Sequence, residues 1–395
     1  MKIAIFAETY LPYINGVVTH IKILKEGLEQ LGHTVLIVTA DPDTKHHYLK
    51  DNVLHCPAHR SQRLYGYGLA SPVTRRRLKF VEDFDPDIIH IHQEFGIGLS
   101  GIMIAKLLKK PLVYTLHTMY DEYLYYVAPR ALLPVVKKIS HRYSRAIANS
   151  AHAITGPSKK CQEYLQNVGV TKMVNVVPNA VELDQFNPDN ISQEVKDELR
   201  KRYQIPSDAT ICCFVGRLGR EKSVDILLDY WAKTITPADK LHLIVIGDGP
   251  CIDELKEQAT KLNINSMVTF TGKILHEDLP TYLAACDFYV TASTSDTNSI
   301  SMLEGMATGL PVLQRLDRLN ENQVRNGVNG YVFNSAEEMA EEMKKIRDKS
   351  PEDLAILKKS VIESVKKSGA IDLANYLLTI YSGALEKQKH AEQKE

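Results

Sequence analysis

Several hallmarks of familiar protein classes are missing from this 395-residue sequence. No apolar run reaches the roughly 18 residues that a membrane-spanning helix needs, so we expect no transmembrane segment. Glu8 interrupts the apolar N-terminus, so we expect no signal peptide. The six cysteines form no Cys-x-x-Cys pair, which disfavours a zinc ribbon or a disulfide scaffold and predicts reduced core thiols. The formal net charge of zero argues against a dedicated nucleic-acid binder.

What is present is typical of a two-domain α/β protein. Continuous apolar runs alternate with amphipathic helical patterns, which indicates parallel strands buried on both faces. These runs are 2–7, 34–40, 87–92, 111–117, 151–157 and 174–179, then 210–216, 241–247, 267–272, 287–292 and 310–313. We predict two Rossmann-like, doubly wound parallel-sheet domains facing a cleft, over residues 1–188 and 189–372. Residues 373–395 are predicted to form a C-terminal helix and a solvated tail, packing back toward the N-terminal domain.

Polar residues follow the predicted strands, where open α/β sheets bind ligands. After the first strand, Asn15 and Gly16 precede a helix that starts at Val17. Such a turn can present backbone amides to an anion, although an ordinary turn with a helix cap is the more common explanation of this loop taken alone. No Gly-x-Gly-x-x-Gly is present there, which disfavours a dinucleotide-dependent dehydrogenase. In the second half, Arg217 and Lys222 follow a strand and could neutralise a diphosphate, although isolated cations at such positions are more often solvated surface charges.

A third loop, over residues 291–313, brings carboxylates and helix amides together. Asp296 lies in the loop, and Glu304 lies one turn into the following helix. The amides of Ser299 to Ser301, with Ile300 between them, are expected at the helix start, where they would bind phosphate. Carboxylates can bind sugar hydroxyls, so the loop suits a nucleotide sugar; an acidic loop with a helix cap is the alternative.

With all three loops, the sequence resembles the retaining glycosyltransferases of glycosyltransferase family 4, which have the GT-B fold. The resemblance covers nearly the whole chain, and it is carried by 8–18, 114–123, 178–186, 216–225, 246–250 and 295–312. Segments 10–35, 88–98 and 113–127 look more specifically like those of bacterial diacylglycerol α-glucosyltransferases. This resemblance implies transfer of a hexose, glucose, from a nucleotide sugar, UDP-glucose, to a membrane lipid, diacylglycerol.

The resemblance also implies roles for individual residues. Arg217 and Lys222 would bind the diphosphate and stabilise it as it leaves, while His117 and Asp296 would contact the transferred hexose. The other donor-binding residues would be Gly16, Val17, Ser299, Ile300, Ser301 and Glu304, the last of them on the ribose. No cofactor and no metal ion are implied.

Three positions depart from the family pattern. Asp296 stands where the first Glu of a Glu-x7-Glu motif is usual, while Ser299 and Ala180 each stand where Gly is usual. These departures put the identity of the sugar in doubt, and they leave a catalytically weak sugar-nucleotide-binding protein as an alternative.

Charge is unevenly distributed along the chain. Residues 1–188 carry 22 Lys and Arg against 16 Asp and Glu, so the remainder is acidic. The segment 131–148 predicts an amphipathic helix whose basic side carries Lys137, Lys138, Arg142 and Arg145. Such a helix suits an anionic membrane surface, although a core-packed helix with a basic outer face is the alternative. We therefore expect a cytoplasmic protein, peripherally associated with the inner face of the cell membrane.

Acceptor contacts are predicted at His92, Glu94 and Tyr120, which flank strand ends in the N-terminal half. Surface or core roles explain each of these residues equally well. The same donor chemistry on a soluble acceptor or on another lipid is the remaining enzymatic alternative.

Overall fold

The computed structural model describes residues 1–60, 67–119, 121, 124, 129–320 and 323–393, and the chain divides into two units. Unit 1 comprises Met1–Ala180 together with Ala370–Glu395, and unit 2 comprises Val181–Gly369. These boundaries lie earlier than the predicted ones after residues 188 and 372. The backbone amide of Val181 donates to the carbonyl of Ser368 at 2.8 Å, so the first and last residues of unit 2 lie close to each other.

Unit 1 is built on one mostly parallel sheet. Its spatial order is β3 (Tyr48–Lys50), β4 (Val53–Arg60), β2 (Thr34–Asp41), β1 (Lys2–Ala7), β6 (Ile88–Ile91), β7 (Leu112–Thr115), β8 (Ala153–Gly156) and β9 (Val174–Val176). A further strand, β5 (Gly68–Ala70), pairs with β4. The pairs β3–β4 and β4–β5 are antiparallel. Sequence patterns missed β3 to β5, because these strands lack continuous apolar runs.

Helices cover both faces of this sheet. They are α1 (Gly16–Gln30), α2 (Arg75–Phe84), α3 (Gly96–Leu107), α4 (Leu133–Ser150), α5 (Lys159–Asn167) and α13 (Ala370–Glu392). Because side chains alternate along a strand, Ile3 and Ile5 pack in one core and Ala4 and Phe6 in the other. Helix α1 begins at the Asn15 cap, whose side chain accepts from the Val18 amide at 3.0 Å.

The C-terminal helix α13 packs against α1 and the sheet. Gly27 permits the close approach, because a Cβ there would lie 2.1 Å from the carbonyl oxygen of Ala370. Leu377 and Tyr381 enter the same core as Ile3. The helix continues to Glu392, so the predicted tail after residue 385 is helical, although most of it is exposed.

Unit 2 contains a wholly parallel sheet. Its order is β12 (Val268–Gly272), β11 (Leu241–Ile246), β10 (Thr210–Val215), β13 (Phe288–Thr291), β14 (Val312–Arg315) and β15 (Gly330–Phe333). Its helices are α6 (Gln193–Arg202), α7 (Val224–Thr234), α8 (Ile252–Lys261), α9 (Leu279–Ala284), α10 (Ile300–Ala307), α11 (Ala336–Arg347) and α12 (Pro351–Val365). Strand β15 was not predicted, because its run of four residues has no long apolar pattern.

Strand order reverses beside the first strand of each sheet. In unit 1, β1 lies between β2 and β6, and in unit 2, β10 lies between β11 and β13. The loops that leave two such strands diverge to opposite sides of the sheet, which opens a crevice at their carboxyl ends. This topology brings the polar loops of each unit together.

Two expectations from composition can be compared with the described residues. Among the helices described, none is both long enough and apolar enough to cross a membrane. The six cysteines are all buried free thiols, as predicted.

Candidate active site

In unit 2, two ion pairs form at the edge where β10 and β13 end. The Arg217 guanidinium donates to the Glu221 carboxylate at 2.5 Å, and the Lys222 ammonium donates to the Asp296 carboxylate at 2.5 Å. Glu221 is nearly buried, with 2% of its side chain exposed, whereas 32% of Arg217 and 23% of Lys222 are exposed. Both cations are therefore positioned by carboxylates and remain in reach of an anion.

Close backbone approach holds these loops in place. Gly247, which follows β11, has φ +139°, and a Cβ there would lie 1.9 Å from the carbonyl oxygen of Gly216. The Ser295 hydroxyl donates to the carbonyl of Glu221 at 2.8 Å. The loops after β10, β11 and β13 consequently form one connected surface.

At the start of helix α10, fewer backbone amides are available to bind an anion than we predicted. Ser299 is its N-cap, and the Ser299 backbone amide donates to the Gln323 side-chain oxygen at 2.9 Å. The expectation of a phosphate-binding amide at Ser299 is therefore wrong. The first-turn amides of Ile300 and Ser301 have no acceptor within the described part of the chain, so they remain able to bind an anion.

A buried tyrosine ties this helix start to β10. The hydroxyl of Tyr289 donates to the Val215 carbonyl at 2.9 Å and shares a hydrogen bond of 3.0 Å with Ser301 Oγ. Burial raises the pKa of Tyr289, so it remains a neutral donor. Tyr289 thus positions the first turn of α10 relative to the strand that precedes Arg217.

Glu304 lies inside the unit, in the second turn of α10. Its carboxylate is 2.8 Å from His276 Nε2, and burial raises its pKa, an effect that the His276 hydrogen bond opposes. On the other side, His276 Nδ1 is 3.9 Å from the Glu182 carboxylate. Glu304 is therefore a preorganised hydrogen-bonding group rather than an exposed acid.

In unit 1, the loop after β1 ends at the exposed N-terminus of α1. Gly16 and Val17 are the first two helical residues, and Gly16 is exposed. Glu8, at the other end of this loop, is buried and accepts from the Ile97 amide at 2.7 Å. Desolvation raises the pKa of Glu8 to about 7, and the Ile97 hydrogen bond opposes that rise. Glu8 thus connects the β1 loop to the start of α3.

A histidine cluster (His20, His90, His92 and His117) lies at the same edge. His92 Nδ1 is 2.9 Å from His117 Nε2, and His20 Nδ1 is 2.9 Å from the Asn179 side-chain oxygen. Burial lowers the pKa of every ring in the cluster, to about 4 for His20, which keeps the imidazoles neutral.

The predicted acceptor residues occupy different environments. His92 and Glu94 are both buried, and the Glu94 carboxylate accepts from the Tyr114 hydroxyl at 2.6 Å. The Tyr143 hydroxyl donates to the backbone carbonyl of Glu94. Tyr120 lies outside the described residues. The geometry places His92 beside His117, whereas Glu94 contacts the tyrosines of β7 and α4.

Comparisons with known proteins identify the family to which the two units belong. The model for Glycosyltransferase Family 4 matches residues 14–185, and the model for Glycosyl transferases group 1 matches residues 195–367. The α-monoglucosyldiacylglycerol synthase of Streptococcus pneumoniae is 32% identical over 86% of this chain and 77% of the relative. The enzyme of the same name from Acholeplasma laidlawii is 30% identical over 98% of both chains. This chain belongs to glycosyltransferase family 4.

The fold of this glycosyltransferase is GT-B. The crystal structure of Anabaena Alr3699/HepE in complex with UDP and glucose matches it with a TM-score of 0.74, at 18% identity, over 97% of this chain and 99% of that one. The predicted fold class is thereby confirmed.

One helix of the glycosyltransferase exposes an unusual surface. On α4, Val135 and Ile139 are 59% and 63% exposed, and Leu132, which precedes it, is 54% exposed. At about 100° per residue, these side chains lie beside Lys138 and Arg142, which are also exposed. We call these five residues the α4 surface. A helix packed in the core by its apolar stripe, the alternative above, would bury Val135 and Ile139 instead.

Other cations of unit 1 differ in their surroundings. Arg145 is exposed, whereas Lys137 donates to Asp121 at 2.9 Å on another side of α4. Arg77, which belongs to an acid-free stretch of the sequence, is fully buried and donates to the Ser71 carbonyl at 2.8 Å. Sequence charge therefore overstates the basic surface of unit 1.

Several residues of the site escaped sequence reasoning. His276 and Gln323 hold Glu304 and Ser299, and Asn179 holds His20 from 159 residues away. No local pattern marks them, because their partners are brought near only by the fold. His20 and His90 were also missed, because His20 lies within α1 and His90 within β6 rather than in a loop that follows a strand.

Proposed function

We propose that this glycosyltransferase is a retaining enzyme that transfers glucose from UDP-glucose to diacylglycerol at an anionic membrane surface. The observation that carries the donor chemistry is the edge of unit 2, where two positioned cations lie near the first turn of a helix. The acceptor is supported by the names of the two relatives, both α-monoglucosyldiacylglycerol synthases. The nucleotide is supported by the structural neighbour HepE, which was crystallised in complex with UDP and glucose.

The chemical step follows from that electrostatic arrangement. The bond between the sugar C1 and the diphosphate oxygen breaks as the acceptor hydroxyl forms a new bond to C1 on the same face. The proton of the hydroxyl passes to the leaving phosphate oxygen, so no protein nucleophile is required. Arg217, Lys222 and the amides of Ile300 and Ser301 stabilise the charge that develops on the diphosphate.

The remaining residues would bind the donor. Glu304 accepts hydrogen bonds from the ribose hydroxyls, Asp296 and His117 contact the hexose, and the amides of Gly16 and Val17 approach the diphosphate. Since Lys222 already pairs with Asp296, one ion pair would position both a phosphate ligand and a sugar ligand. With two cations on the diphosphate, the reaction would require no divalent metal and no cofactor.

The α4 surface supports membrane association. Exposed Val135 and Ile139 can enter the headgroup region while Lys138 and Arg142 contact anionic lipids, each contributing about 1 kcal/mol. Peripheral binding would let diacylglycerol reach the enzyme by lateral diffusion within the bilayer.

A donor and acceptor screen tests the proposal. Purified protein is incubated with UDP-glucose or GDP-mannose and with vesicles containing diacylglycerol, with or without anionic phospholipid. We expect glucosyldiacylglycerol with an α linkage, identified by mass and by NMR, to form from UDP-glucose, to persist with a chelator and to increase with anionic lipid. Product on a soluble sugar alone would overturn the acceptor, and a β linkage would overturn retention.

A matched control separates catalysis from mere donor binding. Glu304→Ala should bind UDP-glucose more weakly and form less product, whereas Glu277→Ala, at an exposed position of the same unit, should behave as the wild type. If the wild type bound UDP-glucose but formed no product with any acceptor, the alternative of a sugar-nucleotide-binding protein would be favoured instead.

A further inference from the structure

Three histidine rings from separate elements converge at the edge of the unit 1 sheet. His20 lies in the second turn of α1, His92 directly follows β6, and His117 follows β7. Their ring centroids are separated by 4.8 Å (His20 to His117), 5.2 Å (His92 to His117) and 5.4 Å (His20 to His92). One ring nitrogen from each residue lies within 4.8 Å of the others.

This triangle has the dimensions of a metal site. A tetrahedral ion bonded to three imidazoles at about 2.0–2.1 Å holds their ring centroids about 5 Å apart. The three measured separations are close to that value. The donor nitrogens of a bound set lie about 3.3 Å apart, so small side-chain rotations would complete the geometry.

Two ring nitrogens of the triangle lack partners among the described residues. His20 Nε2 and His92 Nε2 are both buried without a hydrogen bond there, which is costly for a polar atom. The Asn179 oxygen can only accept, so His20 Nδ1 carries the proton and Nε2 presents its lone pair. This is the arrangement by which a carbonyl oxygen commonly orients a metal-binding histidine.

His90 completes the surroundings without joining the ligand set. Its two nitrogens are engaged by Tyr381 and Thr115, each at 2.7 Å, and its ring packs 4.0 Å from that of His92. Three neutral nitrogen ligands suit Zn²⁺ and similar ions, whereas Mg²⁺ and Ca²⁺ prefer oxygen.

We propose that His20, His92 and His117 form a binding site for a transition-metal ion such as Zn²⁺, with a fourth coordination position open to water or another ligand. The site lies within unit 1 and shares His117 with the donor contacts proposed above, whereas the chemical step proposed there needs no metal.

Direct metal titration tests the proposal in the absence of donor and lipid. Chelator-treated full-length protein is titrated with Zn²⁺ in a calorimeter, and with Co²⁺ while the visible absorption of tetrahedral cobalt is recorded. We expect one ion per chain for the wild type and for His59→Ala, which alters an exposed histidine of unit 1. His20→Ala should bind at least about 100-fold more weakly. Equal binding by His20→Ala and the wild type, or no binding by the wild type, would overturn the site.

A second variant keeps the test decisive if His20→Ala does not fold. Asn179→Ala retains all three rings but removes the group that orients His20, so we expect Zn²⁺ affinity to fall about 10–100-fold. Circular dichroism without metal checks that the variant is folded. An Asn179→Ala protein with wild-type affinity and cobalt spectrum would contradict the assignment of His20 Nε2 as a ligand.

Discussion

The two sheet edges of this protein share a topology but differ in chemistry. In unit 2, the edge carries opposite charges in close pairs, with the cations partly exposed. In unit 1, the edge carries buried imidazoles whose pKa values are lowered, so the corresponding position is neutral. The charged edge is thus suited to an anion such as a diphosphate, and the neutral edge to uncharged groups or a transition-metal ion.

The charge of the residues at each edge also differs from the net charge of the unit that carries them. Unit 1 contains 25 Lys and Arg against 18 Asp and Glu, whereas unit 2 contains 23 against 30. The acidic unit nevertheless presents Arg217 and Lys222 at its edge, and the basic unit presents neutral histidines. An average over a domain therefore does not indicate which ligand its site binds.

The largest expected effect is the loss of a cation from the charged edge. Lys222→Ala should lower kcat/KM by about 10²–10³-fold, because the developing diphosphate charge loses a preorganised partner. Steady-state kinetics with UDP-glucose and diacylglycerol vesicles measures it. Lys233→Ala, which removes an exposed lysine of unit 2, serves as the control and should retain activity. Similar kinetics for both variants would contradict the role of Lys222.

Because of Glu8, which lies in unit 1, we expect the stability of the protein to depend on pH. Its pKa is raised to about 7 in the folded state, so the stability that the neutral carboxyl contributes is complete below about pH 4.5 and is lost as the pH rises toward 7. Between pH 4.5 and a pH above 7, the contribution of Glu8 to the free energy of unfolding falls by on the order of 3 kcal/mol. Urea unfolding from pH 5 to pH 8 should show a smaller decrease in the free energy of unfolding for Glu8→Gln than for the wild type.

The control for this prediction is Glu82→Gln, which alters an exposed carboxylate of α2. Its pH profile should parallel that of the wild type. Parallel profiles for Glu8→Gln and the wild type would mean that Glu8 is ionised in the folded protein throughout this range.

We expect membrane binding to depend on the α4 surface of unit 1 and not on exposed lysines of unit 2. Reversing both cations of the α4 surface, Lys138→Glu with Arg142→Glu, should weaken binding to anionic vesicles by at least about 2 kcal/mol, which is about 30-fold. Vesicle sedimentation at low salt measures the change. Lys261→Glu with Lys366→Glu reverses two exposed lysines of unit 2 and should have little effect. Equal losses would indicate a response to net charge alone.

The smallest expected effect concerns the hydrogen bond between Tyr381 and His90 of the histidine cluster. Tyr381→Phe leaves His90 Nδ1 buried without its partner and should lower the free energy of unfolding by about 1–2 kcal/mol. Tyr376→Phe, at an exposed position of the same helix, is the control. If thermal or urea unfolding gave the same free energy of unfolding for both variants, this hydrogen bond would contribute little to stability.

Sequence patterns predicted what depends on neighbouring residues. The run at 2–7 matches the bounds of β1. Arg217 and Lys222 were identified in the loop after a buried strand, and Glu304 in the helix that follows the next polar loop. Gly32, two residues after the last residue of α1, has the left-handed φ of +79° that is typical of a glycine at a helix end. Periodicity and capping are local effects, so one chain segment suffices to reveal them.

What the sequence could not reveal depends on residues distant along the chain. The Ser299 amide was expected to be available for phosphate, but Gln323, 24 residues later, accepts its hydrogen bond. Arg77 has the sequence context of a surface cation, yet the fold encloses it beside Cys56 and Ser71. In each case the partner is supplied by tertiary packing, and that packing leaves no periodic signal.

The return of the C-terminal helix to unit 1 has a consequence for how the protein can be divided. Unit 2 is one continuous polypeptide, residues 181–369, inserted between two segments of unit 1. It can therefore be expressed alone from a single open reading frame, whereas a stand-alone unit 1 would need residues 180 and 370 to be joined by a short linker. Truncation before residue 370 would remove Leu373, Leu377 and Tyr381 from the core beneath α1, so damage at the end of the gene would destabilise the unit encoded at its beginning.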